Sequence, residues 1–185
     1  MQLAGLLEGE ALWVSIDDSL TGKDKGTTCL EAVDWHHDHT KSTSKKQAYT
    51  NGTQHVEVRI QLGNQAYVYD WGLYMREKTV RRLNRKRKKK QRLSFRTKYR
   101  IVRAILVDLK KRLPAGFPVY VLFDSWYASN KLLKFCRRQG WHVICARVSN
   151  RTAEDKKLYF LEQRLKHQPY TRVHLIATDR RNRPY

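Results

Sequence analysis

From His55 to Leu62 the side chains alternate, with Val56, Val58, Ile60 and Leu62 set against polar neighbours. A period of two fits a strand with one buried face, because successive side chains of extended backbone point to opposite sides. Gly63-Asn64 follows as a turn signal, and Ala66–Trp71 then supplies a partner strand. A chain built around such a meander needs other elements packed on its apolar face.

Further apolar runs supply them. Leu12-Trp13-Val14-Ser15-Ile16 stops at Asp17-Asp18, the pattern of a buried strand ending in carboxylates. Thr21–Gly26 is a turn, a second strand is expected over Thr28–Asp34, and the polar stretch Asp38–Thr53 is expected to be a loop. Thr97 looks like a helix start, and Val102, Ile105, Leu106, Leu109 and Leu113 recur at three and four residues before Pro114 and Gly116 end the pattern. Val119–Phe123 is a continuous apolar strand that stops at Asp124. A helix over about Ala128–Arg138 turns Leu132, Leu133 and Cys136 inward, with Gly140 as its cap. Trp141–Val148 is a strand, Ala153–Lys166 a helix and Arg172–Thr178 a strand. A three-strand meander followed by α-β-α-β predicts an α/β fold, a mixed sheet with flanking helices. The ribonuclease H-like fold has this order.

Charge narrows the function. A formal net charge of +21 over 185 residues repels itself unless a polyanion compensates, which makes nucleic acid the expected partner. Much of it is concentrated in Arg81, Arg82, Arg85, Lys86, Arg87, Lys88, Lys89, Lys90 and Arg92, with Glu77 the only acid between Met75 and Arg96. Such a block is expected to be mobile or partly helical in isolation, and to neutralise DNA phosphates without regard to sequence. No apolar run approaches the roughly 18 residues of a membrane span. Three cysteines, Cys29, Cys136 and Cys145, are odd in number and lack metal-site spacing, which fits a reducing cytoplasm. His36, His37 and His39 invite a zinc reading, but neighbours on extended backbone face opposite sides and no second ligand group follows, so a polar strand exit is preferred.

Two apolar strands that each run into an aspartate carry the chemistry. If they lie side by side and parallel, their carboxyl ends bring Asp18 and Asp124 to one edge, where open α/β sheets place ligand sites. Two neighbouring carboxylates resist joint ionisation unless a cation lies between them, and oxygen-only ligands suit Mg2+ or Mn2+. Paired ions about 3.5–4 Å apart serve in-line phosphoryl transfer. The plainer role for either aspartate is a turn or helix cap.

Ser15-Ile16-Asp17-Asp18-Ser19-Leu20, with Lys23 and Gly26 after it, resembles the first-aspartate motif of insertion-sequence DDE transposases. Val121-Leu122-Phe123-Asp124-Ser125-Trp126-Tyr127 resembles the second, and Ser94-Phe95-Arg96-Thr97-Lys98 the Phe-x-Thr-Lys segment that opens the helix between them. Arg147, Ser149, Asn150 and Arg151 resemble the basic end of the next strand. The resemblance runs from about Leu12 to Arg151. It implies a ribonuclease H-like catalytic core with Asp18 and Asp124 as catalytic carboxylates and metal ligands; Asp17 is the lesser member of its pair, because the family aligns the aspartate just before Thr or Ser. The activity implied for an intact parent is metal-dependent strand cleavage and strand transfer on element ends and target DNA, in the bacterial cytoplasm at the nucleoid, with a homodimer among its expected states.

The family's third carboxylate is a glutamate on a later helix. Glu154 and Glu162 are the only glutamates after Asp124, and both follow the Asn150-Arg151 motif too closely. The resemblance therefore implies a piece truncated at both ends and inactive as it stands: a lead-in over 1–11, a core over 12–152 with a basic insertion over 76–96, and the start of an inserted region over 153–185. Trp126 and Tyr127, beside Asp124, are candidates to stack on displaced bases, whereas Tyr99 is expected in the core. The alternative is a non-enzymatic basic nucleic-acid-binding protein in which Asp18 and Asp124 are structural.

Overall fold

The protein is described here from a computed structural model, which covers residues 10–146, 152–153 and 156–167. Its organising strand is β3 (Tyr49–Leu62), which has a partner on each side. On one side β1 (Leu12–Gly22) runs antiparallel to it along its whole length, from Leu12↔Leu62 to Gly22↔Gly52. On the other, β2 (Asp34–His37) pairs with residues 49–52 and β4 (Gln65–Tyr74) with residues 54–62, so that these two lie end to end along one edge. Beyond β1 the sheet turns parallel: β5 (Val119–Phe123) pairs with β1 and β6 (His142–Cys145) with β5. Six strands thus make one mixed sheet of ribonuclease H-like order.

Helices follow where the apolar spacing changes from two to three and four. In α2 (Lys98–Arg112) Ile101, Val102, Ile105, Leu106 and Leu109 are buried. They meet Leu12, Val14, Ile16, Val56, Val58 and Ile60 of the sheet in one core. Each such side chain contributes roughly 1.5–3 kcal/mol on burial. The helix sits so close that a Cβ at Gly72 would lie 2.3 Å from Ile101 Cγ2. Opposite Val58 and Arg59, β4 carries a bulge. There Tyr69 donates its hydroxyl to Asp108 of α2 at 2.8 Å, and burial together with that carboxylate raises its pKa to about 12. The helix α3 (Asn130–Arg138) adds Leu132 and Cys136 to the core and ends at Gly140, whose φ of 73° suits a residue without a side chain.

Four local expectations need correction. β1 does not stop at Asp17-Asp18 but continues to Gly22, because the polar residues that follow still find ladder partners on β3. The second strand is Asp34–His37 rather than Thr28–Asp34; Val33 instead closes a turn onto the Leu30 carbonyl. The loop after it ends at Tyr49, where β3 begins, so its last residues are already strand. The expected helix over Ala153–Lys166 is shorter, α4 (Leu158–Leu165), and is preceded by a two-stranded ribbon of β7 (Thr152–Ala153) and β8 (Lys156–Lys157). Arg147, Ser149, Asn150, Arg151, Glu154 and the strand expected over Arg172–Thr178 lie outside the described residues.

The basic segment is more ordered than its charge suggests. Its first part is α1 (Glu77–Asn84), anchored by buried Thr79 and Val80, and Thr79 donates its hydroxyl to Asp34. Past a short 3-10 turn at Lys89–Gln91, the loop is closed by Asn84, which donates from Nδ2 to the Leu93 carbonyl at 2.9 Å. In return Asn84 Oδ1 accepts the Leu93 N–H at 2.8 Å. That side-chain amide mimics a pair of backbone groups and holds the two ends of the basic loop together.

Candidate active site

Strand pairing brings the two aspartates together. β1 and β5 are parallel neighbours whose last paired residues are Ile16 and Phe123. Asp124 therefore leaves the end of β5 beside the point where Asp17 and Asp18 continue β1. One cavity of about 610 Å³ is lined by Asp17, Asp18 and Asp124, together with Ser15, Glu57 and Arg59.

Alternation sorts the first pair. Asp18 shares the face of Leu12, Val14 and Ile16, which is packed by helix, while Asp17 is exposed on the other face. Asp17 stands directly across from Glu57 in the β1–β3 register, a juxtaposition of like charges that is unfavourable on its own. Arg59 lies 3.5 Å from Glu57 and offsets part of it.

Asp18 is held by three side chains from three different segments. Gln54 Nε2 of β3 donates to its Oδ2 at 2.6 Å, and Lys98 Nζ, at the start of α2, donates to the same oxygen at 2.7 Å. The Tyr127 hydroxyl donates to Oδ1 at 2.9 Å. Lys98 is aimed by the start of its helix, where Thr97 caps α2 by accepting the Arg100 N–H. The Lys98 and Asp18 side chains are only 12% and 19% exposed, so this ion pair is far better shielded than an ordinary surface pair.

Asp124 has a different role. Its Oδ1 accepts the backbone N–H groups of Trp126 and Tyr127 at 3.0 and 3.1 Å, forming the turn that delivers Tyr127. Its Oδ2 accepts no hydrogen bond among the described residues. Tyr127 is 1% exposed, and burial, followed by the charge of Asp18, drives its pKa far above the usual phenol range. It is a donor at every ordinary pH. Buried in this way, Tyr127 cannot offer its ring to a base, which corrects its expected stacking role. Trp126 remains 44% exposed, with its ring stacked face to face on Tyr99 at 4.9 Å. Lys98 Nζ lies 4.8 Å from the centre of the Trp126 ring.

The donor set is made of carboxylate oxygens, which suits a hard divalent cation. Asp18 and Asp124 can supply such ligands, with Asp17 close by. Among the described residues no group of three or more His, Cys, Asp or Glu is arranged to hold a metal ion. The exposed Glu162 on α4 does not line the cavity. In the histidine segment His36 is buried and His37 turns to His39, their ring nitrogens 3.4 Å apart.

Of the basic residues, Arg81, Arg82, Arg85, Lys86, Lys88, Lys89, Lys90 and Arg92 are exposed. Arg87 is not free: it pairs with Glu31 at 2.5 Å, an acid from a distant loop that no local reading of the block would supply. Gln54 was not legible as a site residue in the sequence, and Lys98 stood out only through its motif.

A parallel pair of strands carrying acidic residues to one cavity, within a ribonuclease H-like sheet, defines a transposase-like nuclease domain. The family model of the DDE superfamily endonucleases matches residues 1–175, and the chain belongs to that family. No curated protein and no solved structure gives a match.

Proposed function

We propose that this chain is the catalytic core of an insertion-sequence transposase, with Asp18 and Asp124 as its first two catalytic carboxylates. The observation that carries the reading is their meeting in one cavity, with Tyr127 bonded to both. Mg2+ or Mn2+ held by Asp18 and Asp124, when bound, supplies the positive charge that phosphoryl transfer requires. The protein's own part is orientation. Gln54 and Tyr127 fix the plane of the Asp18 carboxylate, and the turn at residues 124–127 fixes Asp124. The reaction proposed for such a core is cleavage of the DNA strand by water at the element end, followed by attack of the freed 3′-hydroxyl on target DNA.

The exposed cations of residues 81–92 contact the DNA backbone, and Trp126 offers an aromatic face to a displaced base. Arg87 serves the fold through Glu31. The proposed partners are element ends and target DNA at the bacterial nucleoid, in the cytoplasm, with a homodimer among the expected states. Among the described residues no helix is long and apolar enough to cross a membrane. The core spans 12–152, with the basic insertion at 76–96, a lead-in before it and an inserted region after it. The third carboxylate that the resemblance implies is a glutamate on a later helix, and Glu162 of α4 does not line the cavity, whose other carboxylates, Asp17 and Glu57, stand on strands. On this reading the chain alone binds metal and DNA without completing cleavage.

One observation favours the non-enzymatic alternative: Asp124 forms a turn and Asp18 an ion pair, as structural residues do. DNA affinity at constant ionic strength separates the two readings. On the transposase reading, Mn2+ strengthens DNA binding by the wild type, and Asp18→Asn and Asp124→Asn abolish that gain. A plain basic binder is weakened by Mn2+ equally in all three, because the ion only screens phosphates.

A further inference from the structure

Asp18 carries a full negative charge into a shielded place, and the structure shows what neutralises it. Oδ2 already accepts from Gln54 and Lys98, which uses both of its lone pairs. Of the three groups around Asp18, only Lys98 carries charge. A divalent cation approaching that oxygen meets an ammonium 2.7 Å from it. Two cations so close repel strongly in a partly desolvated site.

Lys98 also has somewhere to go. Its Nζ lies 4.8 Å from the centre of the Trp126 ring and 5.5 Å from that of Tyr74, so the ammonium sits among aromatic faces that attract a cation. A rotation of its long side chain can exchange the carboxylate for a ring without exposing the charge to an apolar surface. Gln54 and Tyr127, both neutral, can stay in place and keep the carboxylate oriented.

We infer that Lys98 is an internal placeholder cation: it holds Asp18 ready in the metal-free protein, and a divalent ion binds there only by displacing it. The inference rests on the metal reading of Asp18. It makes Lys98 a positioning residue that sets metal affinity, and it gives the helix start at Thr97-Lys98 a function beyond capping.

The test is calorimetric titration of Mn2+ into the full chain without DNA, comparing wild type, Lys98→Met, Lys98→Gln, Asp18→Asn and Lys45→Met. Lys45 is exposed and reports the mere loss of one positive charge. The expected result is at least about tenfold tighter Mn2+ binding in both Lys98 variants, little change in Lys45→Met, and no binding at this site in Asp18→Asn. Thermal melts provide a second readout: the Lys98 variants melt lower than wild type without metal, and Mn2+ narrows the gap. Unchanged or weaker affinity in the Lys98 variants, with wild-type binding still lost in Asp18→Asn, overturns the placeholder and leaves the metal site standing. Binding that ignores Asp18 altogether overturns both.

Discussion

Tyr127 donates its hydroxyl to Asp18 at 2.9 Å and its backbone N–H to Asp124 at 3.1 Å, so a single buried residue ties the two aspartates together. Tyr127→Phe keeps the ring and its packing and removes only the hydroxyl. A hydrogen bond to a charged group is worth about 1.5–3 kcal/mol, and the variant should lose stability in that range by urea denaturation. A loss below about 0.5 kcal/mol would mean that Gln54 and Lys98 hold Asp18 without it.

Asn84 is expected to control the order of the basic loop. Asn84→Ala removes both bonds to Leu93 and leaves the ends of residues 85–92 unjoined. Limited digestion with trypsin, which cuts after Lys and Arg, should cleave this segment several-fold faster in the variant while the rest of the chain is cut at the wild-type rate. Equal rates would show that α1 and the Arg87–Glu31 pair suffice to order it.

His36 should make folding sensitive to mild acid. It is buried, its Nε2 has no hydrogen-bond partner among the described residues, and burial above all lowers its pKa below the ordinary 6.5. Nearby Asp34 opposes the shift, while Arg76 and Lys98 reinforce it. A lowered pKa means that the unfolded chain takes up the proton first. Stability is therefore complete above about 6.5 and falls as the pH drops through that value toward the folded pKa. His36→Phe should flatten the stability profile below about pH 6.5 relative to wild type. Parallel profiles for the two proteins would remove His36 as the cause.

The elements with dense, periodic apolar residues were legible in the sequence. Val56, Val58 and Ile60 defined β3, and the Val102–Leu109 spacing defined α2, because local period and burial agree there. The end of β1 was not legible. Residues 17–22 are too polar to announce a strand, and their extended form comes from a ladder with residues 52–57, far away in the chain. The site divides in the same way. Asp18 and Asp124 could be found because each closes an apolar run. Gln54 could not, since nothing in a polar stretch reveals that β3 will set it against Asp18. Tyr127 stands out in the sequence by its place next to Asp124, but its burial, and so its role as a donor rather than a stacking surface, depends on tertiary packing.

On the proposed function Asp18 and Asp124 form one metal site. Titrating Mn2+ into the wild type, Asp18→Asn, Asp124→Asn and the double variant tests it most directly, because asparagine preserves the shape of each side chain. Each single variant should lose most of the affinity and the double variant little more, as expected for two ligands of one ion. Wild-type affinity retained in either single variant would contradict it and leave these aspartates as the structural turn and ion pair of a basic nucleic-acid-binding protein.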